Sequence, residues 1–186
     1  MSHVTRTRTG IRAAAAVVFA AVVGVSIGSI PFATTAGAAT TAPALSQFDA
    51  RLLADINHAR AAHGERALRA VAGTTDVAHG WSCHMAADLT LAHNGRLGSL
   101  LDSHGSSLWT TYGENVGYTT ATAGADRLFH DYMNSPLHRA NILNRSYRYV
   151  GIWSKRSNGR RWNTIDFVGS TVSSYNYGYG ITRRTC

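Results

Sequence analysis

The groups in this chain able to ligate a metal, move a proton or attack a substrate are nine histidines, ten acidic residues and two cysteines. Their spacing excludes the tight motifs. There is no HExxH, so a helical zinc hydrolase of that kind is ruled out. Cys83 and Cys186 are too few and too far apart for a zinc ribbon. In an oxidising compartment the two can pair, tying the last residue to the middle of a helix and closing a loop of about 100 residues, worth up to about 4–5 kcal/mol by chain entropy. Two free thiols, or a bond to another chain, fit the same sequence. Neither cysteine is therefore a good nucleophile candidate.

The compartment is read from the first 38 residues. Arg6, Arg8 and Arg12 precede an apolar run from Ala13 to Ile30, which Pro31 and small residues end. This is the plan of a secretory signal peptide, with Ala36-Gly37-Ala38 as a cleavage signal after Ala38. An uncleaved anchor is the alternative, because 18 apolar residues can just span about 30 Å of hydrocarbon. The expected organisation is a leader over 1–38, a linker over 39–45 and one domain over 46–186. At 186 residues the chain excludes large multidomain enzymes. Its 45% hydrophobic and 15% charged residues exclude wholesale disorder. Removing the three leader arginines lowers the formal charge from +8 to +5.

Which elements would position the chemical groups follows from periodicity. Ser46 and Asp49 make a helix-start signal before Phe48, Leu52, Leu53, Ile56 and Ala59, and Gly64 stops that helix. A second helix is expected from Thr74 or Thr75 to His93, with Asn94-Gly95 as its exit. Residues 96–112 read as an irregular loop, and 113–120 as a short strand or turn. Two more helices are expected over 123–133 and 137–143, separated by Ser135-Pro136. Beyond Asn144 the period becomes two, and the runs 147–153 and 161–168 flank Ser157-Asn158-Gly159, a hairpin turn. The fold class expected is α+β, a three-layer α/β/α sandwich with a small antiparallel sheet between helices.

Six phrases in order carry a resemblance: LLADINHARAAHG (52–64), WSCHMA with LAHNG (81–95), YGENVG (112–117), YMNSPLHRANILN (132–144), YVGIW (149–153) and Asp166-Phe167. Together they resemble the CAP superfamily (cysteine-rich secretory proteins, antigen 5 and pathogenesis-related 1), in its bacterial secreted branch. The resemblance covers about residues 46 to 170 and implies an α-β-α sandwich and secretion. It also implies a cleft lined by two histidines and two acids, which match His93, His138 and Glu114. The second acid has no match, since Asn134 and Ser135 stand where it is expected, so the cleft reduces to His93, Glu114 and His138 with Ser135 as a polar neighbour.

Two neutral imidazoles and one carboxylate meeting at a point would suit zinc or another divalent ion, with a water position left open. By position alone, however, His93 reads as a residue at a helix end and Glu114 as a turn acid satisfied by backbone N–H groups. His58, His63, His79, His84, His104 and His130 read as ordinary surface or core histidines. Asn115 and Asn141 read as structural. Trp109, Tyr112, Tyr118, Tyr175, Tyr177 and Tyr179 could line a groove for an apolar or ring-shaped ligand.

The first functional expectation is a secreted module that binds a lipid, small ligand or peptide in the cleft without turnover. The second is a metal-assisted hydrolase with Glu114 as general base. The third rests on the basic balance, a pI of about 10.1, and on Arg145, Arg148, Arg156, Arg160 and Arg161. These would attach the protein to anionic envelope polymers, with no specific nucleic acid as partner. A monomer is expected.

Overall fold

The computed structural model describes residues 43–104 and 108–172, the backbone of residues 5–7, and Cys186. The apolar leader, most of the linker and the tail tyrosines Tyr175, Tyr177 and Tyr179 lie outside the described residues. Among the described residues no helix is long and apolar enough to cross a membrane.

Helix α1 (Gln47–Ala62) begins as the sequence predicts. The Ser46 hydroxyl accepts the Asp49 N–H at 3.1 Å and donates to the Asp49 carboxylate at 2.6 Å. Gly64 leaves the helix with a φ of 74°. Strand β2 (Arg69–Ala70) follows, and then α2 (Ala72–Asp88). The sequence expectation runs α2 on to His93, but Leu89 takes a left-handed conformation at a φ of 52° and ends it. A branched apolar residue is a poor signal for such a stop, which glycine usually marks. The stretch expected to be an irregular loop contains helix α3 (Leu97–His104), whose Leu97 and Leu101 are buried.

Strand β3 (Thr111–Thr120) precedes α4 (Ala125–Asn134) and α5 (Pro136–Ile142), the latter opening on proline at its first position. Strands β4 (Tyr149–Ser157) and β5 (Arg160–Gly169) form the expected hairpin. Asn158 and Gly159 both have positive φ, the geometry that matches the twist of the flanking strands.

With β1 (Thr5–Thr7), the sheet has the order β1-β3-β5-β4-β2. Its pairs are antiparallel except β2 with β4, a two-residue parallel pair at one edge, so the sheet is mixed rather than wholly antiparallel. Alternation along the strands sends side chains into two cores. Leu52, Ile56, Leu128, Tyr132, Ile142, Ile152, Ile165 and Phe167 fill the layer of α1, α4 and α5. Val77, Leu97, Leu101, Tyr112, Tyr149 and Val168 fill the layer of α2 and α3, with Met85, Val116 and Trp162 beside them. This is the three-layer α/β/α sandwich.

The disulfide between Cys83 and Cys186 is present, with a Cα–Cα separation of 5.8 Å. It anchors the end of the chain to the middle of α2.

Candidate functional site

Glu114 sits in the middle of β3 and is buried. Its Oε1 accepts two hydrogen bonds, from His93 Nδ1 at 2.7 Å and from the Asn94 backbone N–H at 2.9 Å. A carboxylate only accepts, so Nδ1 carries the hydrogen of the His93 ring and Nε2 is the nitrogen left for other chemistry. The His93 side chain is 20% exposed, so the ring bridges a buried acid and the surface. His93 is not at a helix end. It lies in the segment between α2 and α3, held there by this pair and by Trp81, whose indole N–H donates to the Ala92 carbonyl at 2.8 Å.

The back of β3 is fixed by two asparagines. Asn141 Nδ2 donates to the Glu114 carbonyl at 3.0 Å and to Asn115 Oδ1 at 2.9 Å, while Asn115 Nδ2 donates to the His138 carbonyl at 3.1 Å. Both are buried, which agrees with the structural role read from sequence. Through them α5 is stitched to the strand that carries Glu114.

His138 belongs to α5, in the layer opposite α2 and α3. Its ring packs edge-on against Tyr132, with centroids 5.1 Å apart. Tyr132 is buried and donates its hydroxyl to Asn163 Oδ1 at 2.9 Å. Burial, and secondarily the Glu114 charge, push that phenol well above its ordinary value. Ser135 is half-buried at the junction of α4 and α5, where its N–H caps α4 by donating to the Tyr132 carbonyl.

The structure therefore joins His93 to Glu114 directly, while His138 stands on α5 with its backbone carbonyl tied to Asn115 of β3 and its ring against Tyr132. Among the described residues, one group of three His, Cys, Asp or Glu side chains holds its ligand atoms within 4.8 Å of one another: His79, Cys83 and Cys186. His93, Glu114 and His138 do not form another. With Nδ1 of His93 held by Glu114 Oε1, an ion on Nε2 would have Glu114 behind the ring as the carboxylate that orients it, and not as a third ligand through Oε1.

Asp166 is the acid that the sequence reading left out of the cleft. It lies directly opposite Glu114 in the β3–β5 ladder and directly opposite Gly151 in β4–β5, so the three positions form one row on one face. Asp166 is fully buried, and among the described residues neither of its carboxyl oxygens, nor Glu114 Oε2, has a hydrogen-bond partner. Burial raises its pKa well above the ordinary value of 3.8, and the Glu114 charge raises it further. Burial thus favours its neutral form, which costs far less in an apolar site than a carboxylate. The signal that could have found it is the hairpin: a two-residue turn at Asn158-Gly159 fixes which residue of β5 faces which residue of β4.

Among the described residues, Trp109, Tyr112 and Tyr118 of the aromatic groove expected from sequence do not line a common face, and the tail tyrosines lie outside those residues. Trp109 and Tyr112 are buried against each other in the α2–α3 core, and the Trp109 indole donates to Asp102 at 2.9 Å. Tyr118 is exposed, under the Arg160 guanidinium at 4.4 Å.

The model of the cysteine-rich secretory protein (CAP) family matches residues 53–172, which spans both layers, the sheet and the His93–Glu114 pair. The chain belongs to this family. The CAP domain resembles several bacterial proteins in structure. An outer surface protein from Borrelia burgdorferi superposes with a TM-score of 0.59 at 14% identity, over 67% of this chain and 95% of that one. An extracellular SCP-domain protein from Bacillus anthracis gives 0.56 at 22% identity, over 65% of this chain and 40% of that one. A cysteine-rich secretory protein from Staphylococcus aureus gives 0.54 at 22% identity, over 66% of this chain and 38% of that one. The chain thus corresponds to well under half of the last two proteins. At these identities the likeness establishes the fold. Comparison of the sequence with curated proteins returns no match.

Proposed function

We propose that this CAP domain is an extracellular binding module in which His93 presents Nε2 to a lipid, small ligand or peptide. The observation that carries the reading is the division of labour at the pair: buried Glu114 fixes the ring through Nδ1, while the ring itself remains partly exposed. A neutral imidazole so held is an acceptor for a hydroxyl or amide of a ligand. The hydrolase reading asks Glu114 to act as a base toward a metal-held water; its Oε1 is taken by two donors, and its Oε2, though without a partner among the described residues, is buried. Export is supported by the leader, by the disulfide, which persists in oxidising surroundings, and by the extracellular relative from Bacillus anthracis.

The test is ligand-observed and imidazole-observed NMR on the exported protein, against panels of lipids, small polar ligands and peptides. A saturable ligand that shifts the His93 ring signals and is lost in His93→Ala supports the module. Ligands that bind His93→Ala as tightly as the parent would displace the site. Turnover of a peptide library that vanishes in Glu114→Gln would replace the module by the hydrolase. N-terminal sequencing of the exported product should begin at Ala39, which removes β1 and leaves the sheet β3-β5-β4-β2; an intact Met1 would favour the anchored form.

A second reading has its own observation. The β4–β5 hairpin pairs Arg156 with Arg161 and places Arg160 beside them, gathering cations at one end of the sheet as attachment to an anionic envelope polymer requires. Retention on such a polymer should fall steeply with salt; salt-insensitive retention would count against it.

A further inference from the structure

His79 and Cys83 lie one turn apart on α2, four residues from each other and so on one face of the helix. The chain terminus meets them there. Cys186 Sγ is bonded to Cys83 and lies 3.9 Å from His79 Nε2, and Lys155 Nζ holds the Cys186 carbonyl at 2.7 Å. The His79 ring is steadied by Trp153, edge-on at 4.7 Å. The graded burial of the three groups, from buried His79 through half-buried Cys83 to exposed Cys186, gives the cluster an open side.

We propose that reduction of the Cys83–Cys186 bond converts this cluster into a zinc site, with His79 Nε2 and the two thiolates as ligands and water as the fourth. Zinc accepts nitrogen and sulfur donors at about 2.0–2.3 Å in tetrahedral array, which sets ligand atoms about 3.5–3.8 Å apart. The observed 3.9 Å between Nε2 and Sγ is close to that spacing, and the sulfurs need only relax from bonding distance, a movement that the exposure of Cys186 permits. A dithiol reductant supplies the two electrons and two protons that cleave the S–S bond and leaves as its own disulfide. Zinc then displaces both thiol protons to the solvent. Metal and disulfide are thus mutually exclusive states of one site, separate from the His93–Glu114 pair.

Cobalt(II) titration of the full chain, reduced with a phosphine under anaerobic conditions, reads the site directly. One equivalent should bind with a thiolate-to-cobalt charge-transfer band and tetrahedral d–d bands, and zinc should displace it stoichiometrically. The oxidised chain should give neither band. Cys83→Ser should abolish the signal. His79→Ala and the shape-preserving His79→Gln should each weaken binding at least about tenfold, while His93→Ala leaves it unchanged. Circular dichroism follows the fold in parallel. Absence of the charge-transfer band in the reduced parent, whether or not it stays folded, or equal affinity in both folded His79 variants, overturns the proposal.

Discussion

Asp166 stands directly across the ladder from Glu114, and the two carboxyl groups share one buried face of the sheet. Among the described residues only Glu114 has donors, from His93 and Asn94, and burial, with the Glu114 charge second, raises the pKa of Asp166. The unfolded chain releases the Asp166 proton above the ordinary value of 3.8, whereas the native state releases it only at its raised value. The favourable contribution is therefore complete below the ordinary carboxylate pKa and is lost as pH rises toward the native value. Urea denaturation across pH should show this fall in the parent and a shallower one in Asp166→Asn, which is neutral at every pH. Parallel profiles for the two proteins would mean that Asp166 is ionised in the native state.

Glu114 itself anchors a charge-assisted bond and a backbone donor. Glu114→Ala removes the oxygen that accepts both bonds and leaves the buried Asn94 N–H without its partner, so a loss of about 1–3 kcal/mol in unfolding free energy is expected. Glu114→Gln retains one acceptor oxygen and should lose less. Equal losses would show that packing, rather than hydrogen bonding, sets the cost.

Gly151 explains how α2 comes to lie on this row. A Cβ at that position would stand 2.1 Å from the Thr74 carbonyl oxygen and 2.6 Å from the Thr75 nitrogen, both backbone atoms of the first turns of α2. Gly151→Ala should therefore push the helix off the strand and destabilise by about 1–3 kcal/mol or more, read by chemical denaturation. Tolerance of alanine would mean that α2 can slide without loss.

The sequence made some of this visible and hid the rest for identifiable reasons. Ser46, Gly64 and Asn158-Gly159 are local signals whose physics is complete within a few residues, and the elements they bound are where periodicity put them. The end of α2 was hidden because Leu89 carries the left-handed turn. Helix α3 was hidden by the Gly and Ser around Leu97 and Leu101, whose burial depends on Tyr112 and Trp109 far along the chain. The family phrases singled out His93, Glu114 and His138 as cleft residues, but only register joins Glu114 to Asp166, and only the path of the chain end brings Cys186 to His79.

The disulfide should contribute mainly by restraining the unfolded chain. Its loop is long, so Cys83→Ser is expected to cost about 2–4 kcal/mol, measured by thermal and urea denaturation of oxidised parent and variant. A reductant should lower the parent to the level of the variant and leave the variant unmoved. A parent indifferent to reductant would show that the bond carries no stability.

Arg60 ties α1 to the segment behind the site and carries the strictest prediction. It is fully buried with no carboxylate at ion-pair distance among the described residues, and its guanidinium donates to the carbonyls of Arg66 at 2.7 Å, Ile142 at 2.6 Å, Asn144 at 3.0 Å and Tyr147 at 3.2 Å. Burial lowers its pKa from the ordinary value, yet a guanidinium still keeps its charge at neutral pH. These bonds clamp the end of α1 onto the segment from α5 to β4, next to Asn141, which in turn holds the Glu114 carbonyl. Lysine offers three donors on a point charge in place of a planar fork. Arg60→Lys should thus cost about 2–4 kcal/mol, and Arg60→Ala more, since four carbonyls would lose their donor at once. The clamp also predicts a local readout: amide exchange at Glu114 and Asn115 should quicken in Arg60→Lys while α2 amides keep their protection. Uniform acceleration throughout the domain would show a general loss of stability instead of a clamp acting through α5.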